Sequence, residues 1–193
     1  MSRTNKTKNL LAKSLTELMA SMPLEKISVN DIVEHAGVGR NTFYYHFEDK
    51  FDLVNWYFQS GVTQFLVERG HYASWPDLLC DLEIYLRENR TFYTNALAYT
   101  GQNCLREYIF HYTSALFAQR MAASNPGSTE ADQRFVGDFL SGALMGILLP
   151  WVQGGMRESG LRSINDSIRV LCHSDLSELM GYGLSDDLPN DNN

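Results

Sequence analysis

Between Ile27 and Lys50 the apolar residues Ile27, Ile32, Val33, Ala36, Val38, Phe43 and Phe47 do not fall on one uninterrupted helical stripe, because Gly37 and Gly39 break the period. The pattern predicts two short helices joined by a tight turn. Ser28 precedes Val29, Asn30 and Asp31, so its hydroxyl can take an orphan amide of the first turn, with Asp31 placed to complete a capping box. A helix therefore starts at Val29. Ala36 is its last periodic position, and Gly37 supplies the left-handed residue that ends a helix at little cost. The chain turns helical again at about Arg40. With Gly37 as the pivot, Ile32, Ala36, Val38 and Phe43 share a small core between two helices crossing at a large angle. The outward face of the second helix is then Arg40, Asn41, Thr42, Tyr44, Tyr45 and His46, which donates hydrogen bonds at nearly every position and carries no carboxylate before Glu48. Such a face suits the major groove of duplex DNA, where Arg pairs two-fold with guanine and Asn with adenine, while Tyr, Thr, His and Lys reach phosphate oxygens.

The same periodicity organises the rest of the chain. A first helix over about residues 5–21 carries Leu11, Leu15, Leu18 and Met22 on one stripe, and Pro23 stops it. A long helix from Lys50 to about Arg69 places Phe51, Val54, Phe58, Val62 and Phe65 at core spacing and links the N-terminal unit to the remainder. After a linker over residues 70–74, Pro76 and Asp77 open another helix through Leu79, Leu82 and Leu86. A loop with Asn125, Pro126 and Gly127 precedes a helix over about residues 131–153, whose small residues Ser141, Gly142, Ala143 and Gly146 invite close approach of a neighbour. Its apolar girth predicts burial on two sides. A last helix is expected over 163–180, and the polar tail 188–193 is expected to be disordered. The expected fold is all-α: a three-helix unit over residues 1–50, then a larger helical unit over 51–187, for which the family resemblance described below implies regulation and dimerisation.

Composition changes this picture in two places. The net charge of −7 argues against a nucleic-acid partner until its distribution is read. Residues 1–50 sum to +1 and residues 51–193 to −8, and the first sixteen residues hold four basic and no acidic side chains. The end nearest the proposed DNA face is the positive one, with Arg3, Lys6 and Lys8 placed to meet phosphate as an arm or to stay solvated. Cys80, Cys104 and Cys172 are odd in number and widely spaced, with neither an apolar signal segment nor an unbroken apolar run of 18 residues. This reads as a reduced cytoplasmic protein with no membrane partner. The five His residues show neither an i, i+4 pair nor zinc spacing to Cys, so no metal or cofactor is expected. Cys172 beside His173 points about 100° away from it on a helix, so the two do not make a nucleophile and base. No nucleophile elbow, phosphate loop or paired carboxylates support an enzyme.

The run AGVGRNTFYYHFEDKFDL resembles the helix-turn-helix of the TetR family of transcriptional regulators, strongly over about the first 55 residues and beyond them only by helical layout. The resemblance implies that Arg40, Asn41 and Thr42 face bases or nearby backbone, and that Tyr44, Tyr45, His46 and Lys50 hold phosphates. Ser28 would donate to another. Gly39 stands where the family commonly has Ser, which removes one hydroxyl contact. The family also implies a homodimer on a palindromic operator and helices that surround an effector cavity. Eight of the chain's 23 aromatics fall between Tyr85 and Phe117, and Tyr85, Tyr93, Tyr108 and Tyr112, with Trp56 and Tyr57, are candidate cavity walls beside the simpler reading that they are core. Two functional readings follow: a repressor released by a small effector, or an activator governed by a partner protein. The second arises because KISVNDIVEHAGVGRNTFYYHFEDKFDLVNWYF and LSGALMGILLPWVQGGM are similar to the subgroup of activators of dihydroxyacetone kinase operons. A helical enzyme or carrier without any DNA role is the remaining class.

Overall fold

The computed structural model describes residues 3–69 and 75–157, and among these every regular element is a helix. In order they are α1 (Arg3–Met19), a 3-10 turn (Leu24–Lys26), α2 (Val29–Ala36), α3 (Arg40–His46), α4 (Lys50–Arg69), α5 (Trp75–Glu88), α6 (Arg90–Ala98), α7 (Leu105–Ser124) and α8 (Glu130–Gln153). The expected helix over 163–180, the polar tail and Cys172 with His173 lie outside the described residues.

Helix α1 buries Leu11 and Leu15 completely, with Ala12 and Met19 beside them, while Leu18 and Met22 are half-buried on the flank. It stops two residues earlier than its stripe suggested. Ala20 and Ser21 bond back three residues rather than four, to Glu17 O and Leu18 O, because Pro23 denies the helix a continuation and draws the preceding residue out of helical geometry. Ser14, buried beside Leu11 on the same face, donates to Ile32 O at 2.8 Å and ties α1 to α2.

The corner between α2 and α3 forms as its residues predict. Ser28 Oγ accepts from Asp31 N at 3.2 Å and Asp31 Oδ2 accepts from Ser28 N at 2.7 Å, a complete capping box. At the other end Gly37 adopts φ +68°, and Val38 N reaches back to Val33 O at 3.0 Å. Ile27, Ile32 and Phe43 are sealed beneath this corner with Leu11 and Leu15.

Helix α4 carries the chain away from the corner, burying Leu53, Val54, Phe58, Val62 and Phe65. Helix α6 contributes Phe92, Tyr93, Ala96 and Leu97 to the same continuous core. Helices α7 and α8 form an antiparallel hairpin whose close approach is set by Gly137: a Cβ there would stand 2.6 Å from Ser114 O. Thr113 and Ser141 share a hydroxyl hydrogen bond of 2.8 Å across the seam, and Ser114 donates to Asp138 at 2.7 Å. Within one protomer α8 is covered along one side only, and the second side expected to be buried meets nothing among the described residues. Gly137, Ser141, Met145, Leu148, Trp151 and Val152 face inward, whereas Phe135 and Phe139 are 70% and 64% exposed. Gly142 and Gly146 likewise face open space, since a Cβ at either meets nothing within 4 Å. The hairpin buries one stripe of α8 and leaves the opposite one uncovered.

Substitutions at Gly37, Asp31 and Ser28 test the corner. Gly37→Ala meets no steric contact, so its cost is backbone strain alone, about 1 kcal/mol, read as a shifted denaturation midpoint with unchanged slope. The hydrogen bonds from Ser28 hold the Asp31 carboxyl below its ordinary value of 3.8. A depressed folded value contributes stability that is present in full above 3.8 and lost as pH falls through the lower, folded value. Asp31→Asn therefore flattens that acid limb of the stability curve, and Ser28→Ala costs about 1 kcal/mol at neutral pH.

Candidate nucleic-acid interface

Helix α3 is only seven residues long and has no side-chain cap at Gly39, so isolated it would not persist. It is held by its inward residues. Phe43 is completely buried and Phe47, at the helix end, is 3% exposed, with the two rings 5.8 Å apart and Phe47 edge-on to Trp56 at 5.7 Å. With that face pinned, the opposite one points to solvent. Arg40, Asn41, Tyr44 and Tyr45 are exposed, Tyr45 by 81%, and Thr42 and His46 are half-exposed. The face is ordered as well as open. Arg40 donates to Tyr44 Oη at 3.2 Å and its guanidinium lies 5.5 Å from the Tyr44 ring, one turn along the same side, while Tyr45 packs edge-on against His46 at 4.9 Å. Four hydrogen-bonding side chains and two phenols therefore project from one rigid edge. This is the constellation that the sequence placed there.

Two other predicted contacts sit differently. The Lys50 ammonium, at the start of α4, donates to Leu24 O at 2.8 Å, Glu25 O at 3.0 Å and Ile27 O at 2.7 Å, which occupies all three of its protons. Partial burial lowers its pKa, with Glu25, Asp49 and Asp31 acting in the opposite direction. A phosphate at Lys50 must compete with three backbone carbonyls. Ser28 Oγ likewise gives its proton to Asp31 Oδ2 at 2.7 Å. Of the basic residues near the N-terminus, Lys8 rests on the faces of Phe47 and Trp56, 5.1 and 5.5 Å from the ring centroids. It braces the rear of α3.

The aromatic candidates for an effector cavity are divided by the structure. Tyr57 and Tyr85 line one cleft of about 400 Å³ between α4 and α5, together with Ser60, Gln64, Glu88 and Asn89. Tyr57 donates to Asn89 Oδ1 at 3.3 Å, and burial raises the pKa of both phenols. Tyr93 lies behind this cleft, fully enclosed, with its ring 6.1 Å from that of Tyr85. Tyr108 and Tyr112 stack on each other and pack edge-on to Phe58 at 6.0 and 5.9 Å, and Tyr108 lines a separate acidic cleft of about 410 Å³ with Glu48, Asp52, Glu107 and His111. Trp56 belongs to the rear of α3, away from both. The polar residues Gln64, Glu88 and Asn89 were not singled out in the sequence, where surface polarity and a polar cleft wall look alike.

A structural role for Lys50 predicts that Lys50→Ala lowers unfolding free energy by about 1 to 3 kcal/mol, because three carbonyls lose a charged donor. Tyr45→Ala leaves stability within about 0.5 kcal/mol, as its side chain is 81% exposed and its ring meets only that of His46. Chemical denaturation of the two variants separates these cases.

Comparison with known proteins agrees with this geometry. Residues 13–60 match the profile described as "Bacterial regulatory proteins, tetR family", and residues 73–165 match "Transcriptional regulator C-terminal region" of the same family. Over 87 residues the chain is 34% identical to the HTH-type dhaKLM operon transcriptional activator DhaS of Lactococcus lactis subsp. lactis (strain IL1403), covering 45% of this chain. The match spans about half of that relative's own length, 46%. Among solved structures, the dihydroxyacetone kinase operon activator DhaS aligns over 91% of this chain and 97% of its own with a TM-score of 0.58 at 22% identity. NalD, the secondary repressor of the MexAB-OprM multidrug efflux pump in Pseudomonas aeruginosa, aligns over 81% of this chain and 89% of its own with a TM-score of 0.51 at 19% identity. At those identities the structural likeness speaks for the fold. With both halves matched and the corner formed as the motif requires, this chain belongs to the TetR family of bacterial transcriptional regulators.

Proposed function

We propose that this protein is a homodimeric, sequence-specific DNA-binding regulator of transcription that acts in the cytoplasm, with α3 reading the major groove. The observation that carries this reading is the outward edge of α3, where Tyr45 is 81% exposed on a face free of carboxylates in a chain of net charge −7. Arg40, Asn41 and Thr42 contact base edges or adjacent backbone, and Tyr44, Tyr45 and His46 hold phosphates. Ser28 and Lys50 sit at the margin of this surface and act mainly as braces.

One α3 spans too few bases to specify an operator, so the dimer is part of the mechanism. The uncovered stripe of α8 supports a two-fold pairing. Phe135, Phe139, Gly142 and Gly146 follow one another at steps of four, three and four along one side. In an antiparallel pair of α8 helices centred between Leu140 and Ser141, Phe139 falls opposite the second copy's Gly142, and Phe135 opposite its Gly146. Each ring then covers bare backbone, an isologous contact that needs no third component. Helix α8 is also long and apolar enough, by composition, to cross a membrane. Its N-terminal capping box, Thr129 with Asp132, and its polar seam with α7 favour burial against protein.

Two ways of switching fit this arrangement. The cleft beside Tyr57 and Tyr85 supports an effector that releases a repressor by binding better to a conformation in which the reading helices are wrongly spaced. The likeness to a relative named as an operon activator supports activation, governed by a partner protein. Purified protein titrated on its own promoter fragment with and without candidate metabolites distinguishes them.

Selection of bound duplex from a random pool should yield a palindrome with half-sites about 34 to 36 Å apart, and no enrichment at low salt would refute the reading. With roughly 6 to 10 phosphate contacts, affinity should fall about 10³- to 10⁵-fold between roughly 50 and 200 mM salt. Phe135→Glu with Phe139→Glu should give a folded monomer in sedimentation and abolish operator binding at concentrations where the unaltered protein is fully bound.

A further inference from the structure

The connector over residues 20–28 aims α2 and, through it, α3. Its own backbone bonds are short-range turns, and they leave the Met19 and Met22 carbonyls and the Leu24 N–H to be met from elsewhere. Its backbone is fastened from outside. Asn95, on α6, donates to Met19 O at 2.9 Å and Met22 O at 2.8 Å, while its Oδ1 accepts from Leu24 N at 2.6 Å. Two carbonyls and one N–H admit a single orientation of the carboxamide, so all three bonds hold together or fail together. From the other side Lys50 of α4 takes the carbonyls of Leu24, Glu25 and Ile27. Leu24 is thereby gripped at its N–H from α6 and at its C=O from α4, with its side chain 2% exposed in the core.

Helix α6 also touches the aromatic cleft. The Phe92 ring lies 4.5 Å from Tyr57, and Tyr93 lies 6.1 Å from Tyr85, both on the face of α6 that enters the core. A displacement of α6 therefore reaches the connector through Asn95 without having to bend α4. We propose that Asn95 is a positioning residue for DNA binding: it fixes the helix-turn-helix to α6, so that the separation of the two reading helices in the dimer follows the position of α6. This rests on the dimeric DNA-binding reading above.

The test compares the unaltered protein with Asn95→Ala and Asn95→Asp, the latter retaining an acceptor for Leu24 N while setting a carboxylate against the two carbonyls. The probes are the duplex selected by the unaltered protein, the same duplex with one base pair inserted or removed at its centre, and a duplex with one half-site. The unaltered protein should prefer the selected spacing by roughly ten-fold or more. In both variants this preference should shrink to within about three-fold, with half-site binding, dimer mass and helical content unchanged. An equal loss on every duplex, an undiminished spacing preference, or failure of both variants to fold would overturn the proposal and leave Asn95 a residue of general stability. If the unaltered protein binds no duplex at all, it is the DNA-binding reading that falls.

Discussion

The burial of Phe43 and Phe47 is the constraint on which the rest depends. A helix of seven residues with an uncapped start has almost no stability of its own, and only the two rings, sealed against α1, α2 and α4, make it persist. Because their burial fixes the rotation of α3 about its axis, it also decides which side chains face outward. The reading edge is thus a by-product of packing. Moving either ring by one position would turn Arg40, Asn41 and Tyr45 toward the body and bury the donor-rich edge.

Charge works within that frame. A chain with seven excess negative charges repels a polyanion at long range, so contact has to be made by a local patch close enough to escape screening. The arrangement meets this by excluding acids from α3 and by confining many carboxylates to structural tasks. Asp31 and Asp132 cap helices, Asp49 accepts from Phe51 N and Asp52 N at 2.8 Å each, and Asp52 accepts from Glu48 N at 3.1 Å. Asp49 and Asp52, which follow α3, are thereby directed at backbone amides around the start of α4.

The hairpin of α7 and α8 solves a different problem with the same economy of residue types. Glycine serves there in two opposite senses. Gly137 lets α7 come within contact distance, whereas Gly142 and Gly146 leave a flat strip on the outside. A flat strip beside two exposed phenylalanines is costly in water, which is why the proposed dimer is centred on it. The C-terminal half thus leaves an apolar strip exposed at one end and, through Asn95 of α6, holds the connector of the helix-turn-helix at the other.

The sequence by itself determined whatever depends on neighbours three or four residues apart: the capping box of Ser28 and Asp31, the left-handed stop at Gly37, the stripe of α1 and the donor-rich edge of α3. These were legible because a single turn of helix brings their partners together whatever the remainder of the chain does. Tertiary structure alone decided the fate of side chains whose partners lie far away along the chain. Lys50 is engaged 23 to 26 residues upstream, and Asn95 reaches 71 to 76 residues back to the α1 end. The aromatics between Tyr85 and Phe117 read as one cluster, yet α5, α6 and α7 meet α4 from different directions and sort them into a cleft wall, a core and a second cleft. Periodicity states which side of a helix is apolar, and only packing determines what that side meets.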